Sequence, residues 1–224
     1  KILEQMGITV CAYTKTIGAI QADMKHFDRD AILQTPTAMP DRKADDDAIS
    51  YLEGAKKQSN SVGGCMECII EGVPSGVGDP VFEKLDANLA KAIMSIGAVK
   101  AVEIGDGYKV SFRFGTDNND CFQMENGKVV KTTNHAGGIL GGISDGSPIV
   151  IRAHVKPTPS IYTTQQTVNK SGENININIK GRHDPVIIPR AVVVMECMAA
   201  LTILDAMLVN MSAKLEHVVD FYKK

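Results

Sequence analysis

Neither sign of charge dominates this chain: 24 lysines and arginines stand against 26 aspartates and glutamates. So close a balance gives no net field to gather nucleic acid or an anionic membrane, and it leaves room only for a local basic site. Cysteine is scarce too. Five is an odd number spread over 224 residues, which excludes a disulfide framework and fits a reducing, cytoplasmic compartment. The amino end has no basic region, apolar core and small-residue cleavage site in succession, so a secretory leader is not expected. The chain starts at Lys1, and KILEQMG reads as the tail of one element leading into a strand, as in the later part of a longer protein. An uninterrupted apolar span is also missing. The longest run, AVVVMECMAALTIL at 191–204, contains Glu196 and leads to Asp205, whereas a membrane span needs about 20 residues with few charges. A core helix and no membrane partner are expected there.

What is present is apolar substance, 44% of residues, ample for the core of one large domain spanning 1–224. Ile8, Val10 and Ala12 alternate as in a half-buried strand, and the polar run to about residue 47 reads as loop. Asp41, or one of Asp45, Asp46 and Asp47, caps a helix over DAISYLEGAKKQ with Ile49, Leu52 and Ala55 on one face. Val62, Met66, Cys68 and Ile70 alternate in a second strand. Asp79 followed by Pro80 reads as a helix start, with Leu85, Leu89, Ala92 and Ile96 as the buried stripe. AVKAVEI reads as a strand. In YKVSFRF, Tyr108, Val110, Phe112 and Phe114 alternate with polar residues, predicting an amphipathic strand. A hairpin follows around Asn126 and Gly127, then the strand PIVIRAHV, then a strand pair joined near Ser171 and Gly172. Strands in hairpin pairs with helices between groups imply an α+β fold with antiparallel sheets.

Three stretches can carry chemistry. NHAGGILGGISDGS, 134–147, holds five glycines, which let backbone N–H groups approach a flat ring or a phosphate. Its spacing is neither GxGxxG nor a P-loop, and a tight connection between strands explains it equally well. KPTPS, 156–160, offers an ammonium and two hydroxyls on a stiff loop, a cradle for a phosphate tail or simply a rigid strand exit. GRHDP, 181–185, sets Arg182, His183 and Asp184 on a loop constrained by Pro185 and Pro189 that feeds a helix amino terminus. Arg182 there favours an ionised Asp184, or the two form a structural pair. Cys65 and Cys68 fall on opposite strand faces, against zinc and any other metal centre. His135, in the glycine stretch, is placed to touch a ligand; His26, His154 and His217 read as surface or packing residues.

Taken in order, PVFEKLDANLAKAIMSIGAVKAVEIGDG, NHAGGILGGISDG, KPTPS and GRHDPVIIPRAVVVMECMAAL resemble chorismate synthase, and the resemblance runs from KILEQMGITV over essentially the whole chain. Gly97 departs from a common asparagine and Val186 from a common cysteine. The family's earlier segment, with its GxSHG motif, substrate-binding arginines, second histidine and RxSARET-like helix, is not in these residues, so the resemblance is to the family's carboxy-terminal portion. It implies a layered α+β sandwich of antiparallel sheets around core helices and a homotetramer. The implied activity is an FMN-dependent lyase that converts 5-enolpyruvylshikimate 3-phosphate to chorismate and phosphate by 1,4-elimination. Reduced FMN is the implied cofactor and a phosphorylated small molecule the implied partner. By the same resemblance Asp184 and Arg182 are the catalytic residues, Asp184 helping to remove a proton beside flavin N5. Gly97, Ala98, Gly141, Lys156, Pro157, Thr158, Pro159, Ser160 and Arg182 bind FMN. The alternative is a folded fragment that associates, and takes up flavin, without turnover. Losing the missing arginines and histidines removes charge-assisted contacts worth about 1.5–3 kcal/mol each.

Overall fold

The computed structural model describes residues 1–181 and 183–223. A five-stranded sheet is the largest element of the fold, in the order β2 (Ile20–Gln21), β1 (Thr9–Ile17), β3 (Gly64–Glu71), β9 (Ile149–Val155) and β4 (Val99–Ile104). Its first half begins after a short helix, α1 (Ile2–Gln5), with β1 (Thr9–Ile17) and β2 (Ile20–Gln21). These two pair antiparallel, Thr16 opposite Gln21. Between residues 24 and 34, where a plain loop is expected, a 3-10 turn (Met24–His26) and α2 (Arg29–Gln34) form instead. Each is capped locally, by the carboxylates of Asp23 and Asp28, a signal that the surrounding polarity hides. α3 (Arg42–Lys57) starts at the expected Asp41 cap, whose Oδ1 accepts the Lys43 and Ala44 amides at 3.0 and 3.4 Å. Because the helix starts that early, its buried face carries Ala44 and Ala48, with Leu52 packed beside them, and Ile49 is only half-buried. β3 (Gly64–Glu71) buries Cys65, Met66, Glu67 and Cys68 in succession, the mark of an interior strand rather than of one with a wet face.

α4 (Leu85–Met94) begins five residues later than an Asp79 cap predicts. Asp79 Oδ1 accepts the Val81 amide at 2.8 Å in a tight turn, and Phe82 adopts φ 66°. The Leu85 amide donates to the Gly142 carbonyl at 2.8 Å, so a distant acceptor does a cap's work at this helix start. Leu85, Leu89 and Ile93 are fully buried, worth roughly 1.5–3 kcal/mol each. α4 packs on β4 (Val99–Ile104).

The expected strand at 108–114 is not there. Residues Gly107–Phe112 form a 3-10 turn, followed by α5 (Gly115–Asn118). Arg113 Nη1 lies 2.6 Å from Asp106 Oδ2, tying the end of this segment back to its start. Paired with no strand among the described residues, Tyr108, Val110, Phe112 and Phe114 all stay exposed, Phe112 at 80%.

The hairpin β5 (Phe122–Glu125) and β6 (Lys128–Lys131) forms as expected, Met124 opposite Val129. β7 (Ile139–Leu140) and β8 (Ile143–Ser144) make a smaller one. β9 (Ile149–Val155) alternates buried and half-buried residues along its length. β10 (Gln165–Val168) pairs antiparallel with β11 (Asn174–Ile177). α6 (Ile188–Asn210) and α7 (Leu215–Tyr222) close the chain. By length and composition alone α6 can cross a membrane. It buries Ile188, Ala191, Val192, Met195, Ala199 and Ile203, while Val193, Leu201 and Leu208 face out. The core helix expected there is thus covered on one side only.

The class is α+β with antiparallel pairing, as the hairpin pattern predicts. The chain forms two compact units: one of Lys1–Ala12, Glu67–Ala153 and Val193–Lys224, the other of Tyr13–Met66 and His154–Val192. In the second, Ile17, Ala22, Met39, Ala44 and Ala48 make a core of their own, with Val62 and Val186 against it.

Candidate active site

The described candidate residues of the second unit, the 156–160 loop and Asp184, gather around Ser61 and Val62. Ser61 Oγ donates to the Thr158 carbonyl at 2.6 Å, and the Val62 amide donates to the Pro185 carbonyl at 2.7 Å. One short segment therefore holds both the 156–160 loop and the Asp184-Pro185 turn. The next residue shows how tight this is: a Cβ at Gly63 would meet the Val155 carbonyl at 2.5 Å and Pro157 Cδ at 3.1 Å. In the loop itself Lys156, Pro157 and Pro159 are exposed and Ser160 half-buried. Thr158 Oγ1 is buried and has no hydrogen-bond partner among the described residues.

Arg182 lies outside the described residues. His183 Nε2 is 3.1 Å from the Ile179 carbonyl, and its ring meets Tyr162 edge-on at 5.2 Å. Tyr162 also bonds the Gly181 carbonyl through its hydroxyl. Asp184, one-third exposed, places Oδ2 2.7 Å from Arg190 Nη1. The neighbouring arginine expected to hold this carboxylate was Arg182; among the described residues the cation is Arg190, in the first turn of α6. Pro189 signals that helix start, so Arg190 was within reach of sequence reasoning, but nothing in the spacing selects it over Arg182.

Gly141 belongs to the first unit, at the tip of the β7–β8 hairpin. Gly141 and Gly142 take φ of 60° and 88°, a two-residue turn that glycine makes without strain. At Gly142 a Cβ would strike Lys84, whereas around Gly141 nothing lies within 4 Å. Gly97 and Ala98 follow the far end of α4, whose first amide bonds Gly142. Ten helical residues at ~1.5 Å each put about 15 Å between the two ends. The structure does not bring Gly97 and Ala98 next to Gly141. Ala98 adopts φ 71°, uncommon for a residue with a side chain and of the sort that collects at functional sites.

The sequence reading overlooked the polar cluster beneath the glycine hairpin. Lys131 Nζ, 4% exposed, reaches Asp145 Oδ2 at 2.8 Å, Asn134 Oδ1 at 3.2 Å and Asp120 Oδ2 at 3.3 Å. Burial alone raises the Asp120 pKa. Hydrogen bonds from Thr133, the Ala136 and His135 amides and Lys131 outweigh it, and hold the carboxyl well below the usual range. Four polar residues at irregular spacing, Asp120, Lys131, Asn134 and Asp145, leave no sequence signal. His135, expected near a ligand, has Nδ1 2.6 Å from Asp106 Oδ2 and from Arg113 Nη1. At Cys68 burial, then the charges of Glu196 and Cys11, push the thiol pKa up. Among the described residues no group of three His, Cys, Asp or Glu is placed to hold a metal ion.

Comparison with known proteins agrees with the motifs. The family model for chorismate synthase matches residues 1–208. Chorismate synthases of Lachnoclostridium phytofermentans and Agathobacter rectalis are each 57% identical over all 224 residues, and that of Methanosarcina barkeri is 47% identical over 210 residues, 92% of the chain. The chain spans 61% of the length of the first two and 58% of the third. A solved structure, a crystal structure of chorismate synthase, superposes with a TM-score of 0.77 at 28% identity, covering 93% of this chain and 60% of that one. With the family model matching nearly the whole chain and the motifs in their order, the chain belongs to the chorismate synthase family.

Proposed function

We propose that this chain carries the carboxy-terminal part of an FMN-dependent lyase site that converts 5-enolpyruvylshikimate 3-phosphate to chorismate and phosphate. The observation that carries the reading is the clamp at Ser61 and Val62, which holds KPTPS and Asp184 together in a member of this family. The residues suit a flavin. Thr158 Oγ1 is a buried hydroxyl still wanting a partner, Lys156 an exposed ammonium for a phosphate, and Gly141 an open backbone for a flat ring. By the family resemblance, Lys156 to Ser160, Arg182, Gly141, Gly97 and Ala98 are the residues that would hold the cofactor. Reduced flavin, when bound, lends electron density to the departing phosphate and recovers it, so the reaction has no net redox change. Asp184 accepts the proton that leaves carbon, and Arg190 orients its carboxylate from 2.7 Å. The setting is a cytoplasmic homotetramer acting on a small phosphorylated molecule, with neither nucleic acid nor membrane as partner.

The test is an anaerobic assay with reduced FMN and the enolpyruvyl substrate, following phosphate release. Asp184→Asn is expected to lower kcat about 10²- to 10⁴-fold; undiminished turnover removes Asp184 from the chemistry. A second reading is that this chain folds, associates and takes up flavin without turnover. Flavin titration without turnover in the same assay selects it.

A further inference from the structure

We propose that Lys131 is the positioning residue for the glycine hairpin β7–β8, and that through the hairpin it sets how tightly flavin is held at Gly141. The proposal rests on reading 139–144 as part of a flavin site. Each of the three acceptors on the Lys131 ammonium is also committed to the hairpin's flanks. Asn134 Oδ1 takes the Gly138 amide at 2.8 Å, while Asn134 Nδ2 donates to the Pro148 carbonyl at 2.8 Å. Asp120 takes the His135 and Ala136 amides at 2.7 and 2.9 Å and the Thr133 hydroxyl at 2.6 Å. Asp145 takes the Ser147 amide at 2.8 Å. One buried cation thus joins the stretch before the hairpin, 133–138, to the stretch after it, 145–148.

Ser144 at the base is bonded outward, to Gly76 and Val77 through its backbone and to the Val77 amide and Pro74 carbonyl through its hydroxyl, but those bonds do not join the two flanks to each other. Between the two flanks the backbone supplies Asp145 N to Gly138 O at 3.0 Å and Val150 N to Gly137 O at 3.3 Å, and a hairpin of two residues per strand is not stable by itself. The tip is fixed independently, by Leu85 N on Gly142 O at 2.8 Å. With the tip fixed by α4, Ser144 bonded to 74–77 and the two flanks drawn together by Lys131, the angle at which Gly141 would face a ring is determined. Without the ammonium, Asp120 and Asp145 are two buried carboxylates facing each other with no cation between them, and the base must open to hydrate them.

The test uses the full chain with Lys131→Met and Lys131→Gln, the second keeping a donor for part of the cluster. Oxidised FMN is titrated by fluorescence, and hydrogen exchange is read on peptides across 132–148 and across β1 and β9. The methionine variant is expected to weaken FMN binding about tenfold or more, with glutamine between it and the parent. Exchange should rise in 132–148 and stay unchanged in β1 and β9. FMN affinity in both variants equal to the parent's overturns the proposal. So does failure of both to fold, since Lys131 is then a general stability residue. If the parent itself does not bind FMN, the flavin reading fails and exchange alone judges Lys131: a rise confined to 132–148 supports positioning, and a uniform or absent rise overturns it.

Discussion

Asp120 makes the chain's stability depend on pH in a definite direction. Its carboxyl pKa is lowered in the folded state relative to about 3.9 in an unfolded chain. The stabilisation it brings is therefore fully present above about pH 4 and lost as pH falls below it. Asp120→Asn is expected to cost about 1.5–3 kcal/mol at pH 7, and the gap from the parent should narrow by pH 3; urea titrations at the two pH values measure both. Asp145, also lowered, against burial, by Lys131 and Ser147, acts in the same sense. At Ala98 the expectation is reversed. Its φ of 71° strains a residue with a Cβ, so Ala98→Gly should raise stability by about 1 kcal/mol, seen as a higher urea midpoint. The cysteines divide by exposure. Iodoacetamide at pH 8 is expected to label Cys121 and Cys197 in the folded chain and to spare Cys65 and Cys68, which react only after denaturation.

The elements show where hydrophobic pattern is enough and where it is not. α6 presents apolar residues all round, but the structure buries one stripe of them. Met195 is fully buried, so Met195→Ala is expected to cost about 2–5 kcal/mol, whereas Leu201→Ala, at 61% exposure, should stay within about 0.5 kcal/mol; thermal unfolding of the two variants tests the contrast. Composition could not reveal that stripe, because both faces read alike. The strand predicted at 108–114 has the same cause: alternation permits a strand, but only a neighbouring strand makes one, and the Asp106–Arg113 pair turns the chain back first. β9 and the Asn126-Gly127 hairpin were legible because their determinants are local. The start of α4 was not, since the acceptor for its first amide sits 57 residues on, at Gly142.

Across the whole molecule, apolar side chains remain at the surface in quantity, among them Val193, Leu201 and Leu208 on α6 and Phe112 and Phe114 beyond β4. Surfaces of this kind take up apolar probes. The folded chain is expected to enhance the fluorescence of a hydrophobic dye, and the double variant Leu201→Glu, Leu208→Glu to reduce it without change in far-UV circular dichroism. What the sequence determined by itself was the family and the α+β class, because turn residues and the order of four segments are properties of neighbours along the chain. It also nominated Asp184 and the 156–160 loop. Only the tertiary structure decided that Arg190 holds Asp184, that Ser61 and Val62 clamp both segments, and that Lys131 sits under the glycine hairpin. Those pairings join residues up to 123 positions apart, Val62 to Pro185 being the longest. Such distances depend on the path of the backbone, and no local propensity records it.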